Sequence, residues 1–445
     1  MTTQTKHLTG ADTATEIRSL IVNKSNELKD LVTFGHNKFH AKHRWYPFVE
    51  GFSNEFVRRI IGQQNYPVKV CYDPFGGVGT TALTCQELNI KCISSEANPF
   101  IADVATAKLM DFNSQSFEID LAMFCDFLSN RNGPIDRPEF ESKTFFESDS
   151  QDKWLFHADA ADGLLDIKSG ISTILFSELD NVTLFKLAYA SIIVNVSNVF
   201  RNGKCLSYRK KWKERKFNRQ EVHNLFIDHC RNVILIDLRT SALKNNTSKN
   251  IDYLFKGDSR EIVKSIEEDT IDLVITSPPY LNSRDYTDIY RLELWMLGYV
   301  STFASEQLVR KSALTSHVQC KLPDFVSPKS DILDAYLFAI KDAKTWNPNI
   351  SNMIKGYFFD MNQFLLNLFG KLTKDGTVYI NVSNSCYFTL ECEVDLIIAE
   401  LAVGIGYCVK EVQIARHIRT SSQQKGNLKV MRESVIVLKK SPINQ

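Results

Sequence analysis

The stretch that most constrains this chain is Ile271-Asp272-Leu273-Val274-Ile275-Thr276 running straight into Ser277-Pro278-Pro279-Tyr280. A short β-branched run of this kind predicts a buried parallel strand. Two successive prolines end it at once, since neither can donate a ladder hydrogen bond. Pro278 also keeps Ser277 out of the helical region, so the turn is stiff and its carbonyls point in fixed directions. Tyr280 then sits just past the carboxyl end of a strand, where open α/β sheets bind ligands. A rigid pair of acceptors beside an aromatic plate suits a planar ring with an exocyclic amino group.

A second anchor lies two hundred residues earlier. Val68-Lys69-Val70-Cys71-Tyr72-Asp73 reads as a strand, Pro74-Phe75-Gly76-Gly77-Val78-Gly79 as a tight turn, and Thr80-Thr81 opens a helix to Leu88. Glycines allow positive φ and close approach of the backbone to a ligand. The spacing is not that of a dinucleotide-binding turn, and the acid at the strand end suits a ligand with an ammonium group better than a pyrophosphate. Lys91 to Glu96 is a second strand ending in an acid, placed as a ribose-binding acid would be. Pro99 then starts a helix through Leu109. Ile251 to Lys256 predicts another strand before Gly257-Asp258, with Ser259 as cap of the helix that follows.

Composition excludes several classes. With 445 residues and a formal net charge of +1, the chain carries no global polyanion signal, so any nucleic-acid role must rest on local patches. The ten cysteines include no Cys-x-x-Cys pair, which argues against a zinc ribbon and a disulfide framework and for reduced thiols in the cytoplasm. His36, His40 and His43 lie close together, but no Cys, Asp or Glu next to them completes a ligand set, so no metal is expected. The first ten residues lack an apolar signal region, and no apolar run is long enough to span a bilayer.

The remaining pattern is coarse. Ile17, Leu20, Ile21, Leu28 and Leu31 predict a helix over about 14–32, and Ser53 reads as N-cap of a helix through Ile61. Residues 113–250 break the α/β rhythm. Within them Lys204, Tyr208, Arg209, Lys210, Lys211, Lys213, Arg215 and Lys216, with Trp212 and Phe217, form a basic, aromatic cluster opposed only by Glu214. That density suits phosphate contacts with aromatics packed between them. Ile289–Tyr299 predicts an aromatic helix, Phe358–Leu372 an amphipathic one and Val394–Leu401 a third. Strands are expected at Thr377–Val382, Val409–Ile414 and Ser434–Leu438. Residues 301–350 give no clear pattern. The organisation expected is 1–112 and 251–445 as two halves of one domain, with 113–250 inserted.

Taken together, Asp73-Pro-Phe-Gly-Gly-Val-Gly-Thr-Thr81, Glu96, Gly257-Asp258 and Thr276-Ser-Pro-Pro-Tyr280 resemble the S-adenosylmethionine-dependent DNA methyltransferases that modify exocyclic amines. The resemblance covers about 34–110 and 251–440. It implies an α/β, Rossmann-like sheet of seven mostly parallel strands, interrupted by a target-recognition insertion at 113–250. It also implies that Asp73, Phe75, Gly76, Gly77, Gly79, Thr80 and Thr81 hold the methionine end of S-adenosylmethionine. Glu96 would take the ribose hydroxyls, Asp258 the adenine amino edge, and Phe100 or Ile101 the adenine face, with Phe52 and Ser53 closing over the methionine. Ser277 and the Pro278 carbonyl would accept from the target amine, Pro279 would stiffen the turn, and Tyr280 would stack on the extruded base.

Ser-Pro-Pro-Tyr is most similar to the cytosine-N4 members; adenine-N6 members more often carry Asp or Asn before the prolines. The glycine motif precedes Ser-Pro-Pro-Tyr here, whereas many cytosine-N4 enzymes show the permuted order, so adenine-N6 methylation is the alternative. An RNA amino-methyltransferase and a DNA-binding protein with a dead cofactor pocket are further alternatives. The absence of a Pro-Cys pair excludes cytosine-C5 chemistry, which needs a nucleophilic cysteine. The expected setting is a restriction–modification system, with double-stranded DNA as substrate, a cognate endonuclease as partner, and neither metal nor membrane.

Overall fold

The computed structural model describes residues 10–48, 51–202, 205–241, 250–281, 286–318, 327–341, 347–387, 390–419 and 430–441. Its strands are β1 (Ile21–Asn23), β2 (Val70–Asp73), β3 (Lys91–Glu96), β4 (Val199–Arg201), β5 (Leu206–Tyr208), β6 (Leu254–Lys256), β7 (Ile271–Thr276), β8 (Leu372–Ser383), β9 (Ser385–Tyr387), β10 (Leu390–Cys392), β11 (Tyr407–Arg419) and β12 (Val430–Lys440). Eight of them make one sheet in the order β1-β11-β12-β8-β7-β2-β3-β6. Five of its seven pairings are parallel; only β11–β12 and β12–β8 are antiparallel.

Chain order fixes where a ligand can sit. From β2 the chain moves outward through β3 to β6, then returns to lay β7 on the other side of β2. The direction of winding therefore reverses between β2 and β7, and a crevice opens at the carboxyl ends of strands at such a point. Those ends carry Asp73 and Ser277. Both strands are apolar almost throughout, as strands covered on two faces must be. Cys71 pairs with Leu273 and Tyr72 with Val274, which leaves Asp73 beside the end of β7.

The seven-stranded expectation is corrected to eight. The helix expected over 14–32 is a helix only at Gly10–Ser19 and again at Ser25–Leu28. Between them Ile21–Asn23 pairs in parallel with Val412–Ile414. The Val412 N–H donates to the Leu20 carbonyl and the Lys24 N–H to the Ile414 carbonyl, each at 3.0 Å. An open sheet edge and two β-branched residues outweigh a helical spacing of apolar residues.

Residues 114–241 form helices at Ser114–Ser129, Ala158–Thr173, Asn181–Val196 and Arg219–His229, the last continuing through a wider turn to Ser241, plus the β4–β5 hairpin. Phe124 packs on Phe185 and Phe226 at 5.0 and 4.9 Å, and Phe117 stacks on Phe185 at 4.9 Å. The same apolar cluster takes in Trp45, Phe100 and Val104 from the sheet-flanking layer and Leu292, Leu294, Trp295 and Met296 after β7. Hydrophobic burial thus ties residues 114–241 to the layer that flanks the sheet through a shared core. Among the described residues no helix is long and apolar enough to cross a membrane.

Other bounds shift by context. Pro99–Leu109 and Lys91–Glu96 lie where the pattern puts them. The helix expected at Phe358–Leu372 is Ile350–Phe369, and the strand after it starts at Leu372 rather than Thr377. Arg291–Met296 is the only α-helical turn within the expected 289–299 helix past Ile289. The patternless 301–350 region contains helices Phe303–Lys311 and Asp331–Ala339, capped by Thr302 and Ser330.

Candidate active site

One cavity, about 1070 Å³ including its open mouth, lies over the carboxyl ends of β2, β3 and β7. Its wall brings together Phe52, Asp73, Phe75, Gly76, Gly77, Thr80, Glu96, Asp258, Ser277, Pro278, Pro279 and Tyr280. The two sequence anchors thus face a single space. Ile101 lines it and Phe100 does not; Phe100 is buried against Tyr46 and Tyr290.

Asp73 is held from three directions. The Thr81 hydroxyl donates to Oδ2 at 2.6 Å, the Thr276 hydroxyl to Oδ1 at 2.8 Å and the Phe75 N–H to Oδ1 at 3.2 Å. Burial disfavours the charged form and pushes this carboxyl up to about 7, against the opposing pull of the two threonine bonds. Glu96 behaves alike: burial raises it to about 7, while the N–H groups of Asn98 (2.8 Å) and Gly77 (3.0 Å) favour its anion. Two half-titrated carboxyls at the ends of neighbouring parallel strands suit a ligand with positive charge and hydroxyl donors.

The glycine turn is shaped by contact. A Cβ on Gly76 would collide with Ser94 Oγ, and Gly79 has φ +80 just before the helix Thr80–Glu87. Gly79 thus holds a backbone conformation that favours glycine, and a side chain at Gly76 would fit only if Ser94 moved. Gly79, Thr81 and Ser53 do not line the cavity. Thr81 orients Asp73, and the Ser53 hydroxyl accepts from the Phe56 N–H as N-cap of Asn54–Gly62. They shape the site without facing it.

Asp258 is the N-cap that the sequence assigned to Ser259: its Oδ1 accepts from the Arg260 N–H at 2.9 Å. Its carboxylate also meets the Arg260 guanidinium at 2.6 Å, and the same guanidinium reaches Asp360 at 2.6 Å. The loop after β6 is thereby anchored to the helix Ile350–Phe369.

Several site residues carried no signal in the sequence. Phe48 stacks on Tyr290 in parallel at 6.0 Å, and both line the cavity. The Arg201 guanidinium lies 4.7 Å over the Tyr290 ring and is also bonded to buried Glu293. It joins the β4–β5 hairpin to the cavity wall. The Tyr280 ring borders the cavity, whereas its hydroxyl donates to Glu433 on β12 at 2.9 Å.

The basic cluster divides. Arg215 donates to the carbonyls of Asn195 (2.7 Å) and Ser197 (3.1 Å), and Arg209 to that of Val194 (3.3 Å). Both satisfy the end of the helix Asn181–Val196, a common task for a cation at a helix C-terminus. Tyr208 packs on Trp212. Lys210, Lys211, Lys213 and Lys216 are exposed. Lys204 lies outside the described residues.

Two clusters bring together side chains that lie apart in the sequence. Glu55, distant from the histidines in sequence, folds back to within 2.6 Å of His40 and 3.5 Å of His36. The thiols of Cys71, Cys85 and Cys92 all lie within 4.8 Å of one another, buried where β2, β3 and the helix Thr80–Glu87 meet. Their spacing in sequence gave no hint, because adjacent strands and a crossover helix bring them together.

A family model described as DNA methylase matches residues 15–107. Among curated proteins, the type II methyltransferase M.AvaI of Nostoc sp. is 26% identical over 446 residues, covering 93% of this chain and 89% of its own length. The M.AvaI of Anabaena variabilis matches to the same extent. The type II methyltransferase M.BsoBI of Geobacillus stearothermophilus is 25% identical over 470 residues, with 93% and 88% covered. These similarities and a large, mostly parallel sheet support a DNA methyltransferase of a restriction–modification system.

Proposed function

We propose that this chain methylates the exocyclic N4 amine of cytosine in double-stranded DNA, with S-adenosylmethionine as donor. The observation that carries the reading is the single cavity shared by Asp73, Glu96 and Ser277–Tyr280. S-adenosylmethionine supplies a methyl group activated by a sulfonium charge. Asp73 and the Gly76–Gly79 turn hold its methionine end, Glu96 takes the ribose hydroxyls, Asp258 the adenine edge, and Ile101 the adenine face.

The amine's electronics set the task of the other wall. An arylamine lone pair is delocalised into its ring and is a poor nucleophile. Ser277 Oγ and the Pro278 carbonyl accept from its two N–H groups and favour a pyramidal nitrogen with the lone pair free for in-line attack. Catalysis is then mostly positioning and fixed dipoles. The target base leaves the duplex to reach the cavity, with Tyr280 as its stacking surface. Ser277 in place of an acid favours cytosine over adenine.

Residues 113–250 are assigned to target recognition. Arg201 couples the β4–β5 hairpin to Tyr290 at the cavity wall, and the exposed lysines lie beyond that hairpin. Replacing Lys210, Lys213 and Lys216 by alanine should weaken DNA binding and flatten its salt dependence. Each lost phosphate contact removes about 0.9 from the slope of log affinity against log salt. Titration by fluorescence anisotropy at several salt concentrations checks this, with cofactor affinity unchanged. The natural setting proposed is the cytoplasm of a cell that carries an endonuclease for the same site.

Cofactor affinity should depend on pH with a definite sign. Asp73 and Glu96 sit near 7 in the ligand-free protein, and a cationic ligand favours their anions. Affinity should therefore rise by up to about ten-fold for each carboxyl from pH 6 to pH 8, and binding below pH 7 should release protons. Calorimetry in buffers of different ionisation enthalpy reads both. Stability of the ligand-free fold runs the other way. These carboxyls titrate near 7 when folded, above their ordinary 3.8 and 4.5, so the native state holds more protons between those values. Their contribution thus declines as pH rises through that window.

Nucleoside mass spectrometry of DNA treated with protein and labelled S-adenosylmethionine tests the assignment. Label in N4-methylcytosine is expected. Label in N6-methyladenine keeps the cavity and removes the cytosine reading, and binding of cofactor without label in DNA removes the substrate.

A further inference from the structure

The three thiols beneath the glycine turn form a site of their own. Cys71 on β2 and Cys92 on β3 are register partners in parallel strands, so their side chains leave the sheet on the same face. The helix Thr80–Glu87 lays Cys85 against that face, and the three Sγ atoms all lie within 4.8 Å of one another. All three residues are fully buried, in a core shared with Val57, Ala82, Leu83 and Leu273. None of them lines the cavity. Among the described residues this is the one place where three His, Cys, Asp or Glu donors converge so closely.

Donor number, spacing and charge limit what such a site can hold. Sulfur ligands select soft elements. Bonds to sulfur of about 2.3 Å put three sulfurs around one atom about 4 Å apart or less, which is close to the spacing present. Structural zinc takes four ligands, and the group here has three. Three thiolates would leave a net charge of −1 around a divalent ion and −2 around Cu(I). A net charge is costly in an apolar core. A trivalent centre bonded to three sulfurs carries no net charge and needs no fourth ligand.

We propose that Cys71, Cys85 and Cys92 form a binding site for trivalent arsenic, taken up as arsenous acid, As(OH)₃. Three S–H and three As–O bonds break, three As–S and three O–H bonds form, and three waters leave. Arsenic stays trivalent, so no oxidant or reductant takes part. Arsenous acid is small and uncharged at neutral pH, and it reaches the buried thiols by local opening of the layer, so uptake is slow. The bridge joins β2, β3 and the helix at one point. Asp73 follows Cys71 by two residues, and Thr81, which donates to Asp73, precedes Cys85 by one helical turn. The arsenic is therefore bound directly beneath the Thr81–Asp73 bond.

Intact-protein mass spectrometry with arsenite as probe tests this, because the mass reports how many thiols have reacted. The full chain is incubated with arsenite for hours, and is also synthesised in its presence, so that burial alone cannot hide the site. The expected wild-type product gains one arsenic and loses three hydrogens, and its melting temperature rises by about 2 °C or more. Cys71→Ala, Cys85→Ala and Cys92→Ala each leave two thiols. Arsenic affinity should fall about 100-fold or more in each, since one of three linked arms is lost. Any adduct that remains should keep a hydroxyl and lose only two hydrogens. If one variant does not fold, as its melting curve would show, the other two and the wild type carry the test. Failure of the wild type to form the three-hydrogen adduct under either loading overturns the site. So does an adduct of equal mass and affinity in Cys85→Ala, which would place the arsenic on other cysteines. Zinc or copper held by these three cysteines in the purified chain overturns the choice of ligand.

Discussion

Replacing Ser277 by alanine lowers the rate of methyl transfer by about 10²- to 10³-fold while cofactor affinity changes little. The magnitude is that of removing one preorganised dipole aimed at charge that develops in the transition state. Ser277 follows directly on β7, and Pro278 and Pro279 allow its backbone little freedom, so no neighbour can take over the position. The proposed cofactor half of the cavity lies at the ends of β2 and β3 and is not touched by the change. Single-turnover kinetics with equilibrium cofactor binding separates the two quantities. A variant that lost cofactor affinity and kept its rate would place Ser277 in the wrong half of the cavity.

Asp73→Ala gives the opposite split, with cofactor binding weakened about 100-fold or more and a smaller effect on the rate once the site is saturated. The carboxylate is the acceptor for Thr81, Thr276 and the Phe75 N–H. Its removal leaves buried donors unmatched, each at a cost of about 1–3 kcal/mol, partly offset because a desolvated carboxyl is also removed. In the proposed site the turn that would meet the ligand loosens, and the negative charge assigned to its ammonium is gone. Asp73→Asn separates these effects, since the amide oxygen still accepts while the charge is lost. It should fold as wild type and bind cofactor about ten-fold more weakly or worse. Equal affinity in wild type and Asp73→Ala contradicts the cavity assignment.

Both effects depend on residues that the sequence displays, because the signals there are local. The strand Lys91–Glu96 and the helix Pro99–Leu109 are bounded by an acid, a capping Asn98 and a proline at the first helical turn, all within a few residues. The proline pair after β7 is equally local. Asp73, Glu96 and Ser277 were therefore legible as strand-end residues, and winding order then forces them to one crevice.

What sequence could not show was set by contacts between distant segments. Residues 14–32 have helical spacing, but the free edge of β11 captures Ile21–Asn23. Arg209 and Arg215 look identical in sequence to their lysine neighbours. The carbonyls at the end of the helix Asn181–Val196 engage them, and only the fold brings those carbonyls near. Glu433, Asn381 and Arg416 belong to three different strands; the first two meet at the Tyr280 hydroxyl, and Arg416 holds Glu433 from its other oxygen. No spacing rule joins them, since β8, β11 and β12 come together by antiparallel pairing at the far side of the sheet.

The most direct test of the central claim, that one cavity holds methyl donor and target amine on opposite walls, is a single-turnover transfer experiment. Wild type and Ser277→Ala, each saturated with methyl-labelled S-adenosylmethionine, are mixed with duplex DNA, and label in the DNA is followed with time. The account predicts label in one type of base, equal cofactor occupancy in the two proteins, and transfer by Ser277→Ala slower by about 10²-fold or more. Equal rates in the two proteins, or no label in DNA from a wild-type protein that has bound the cofactor, would contradict it.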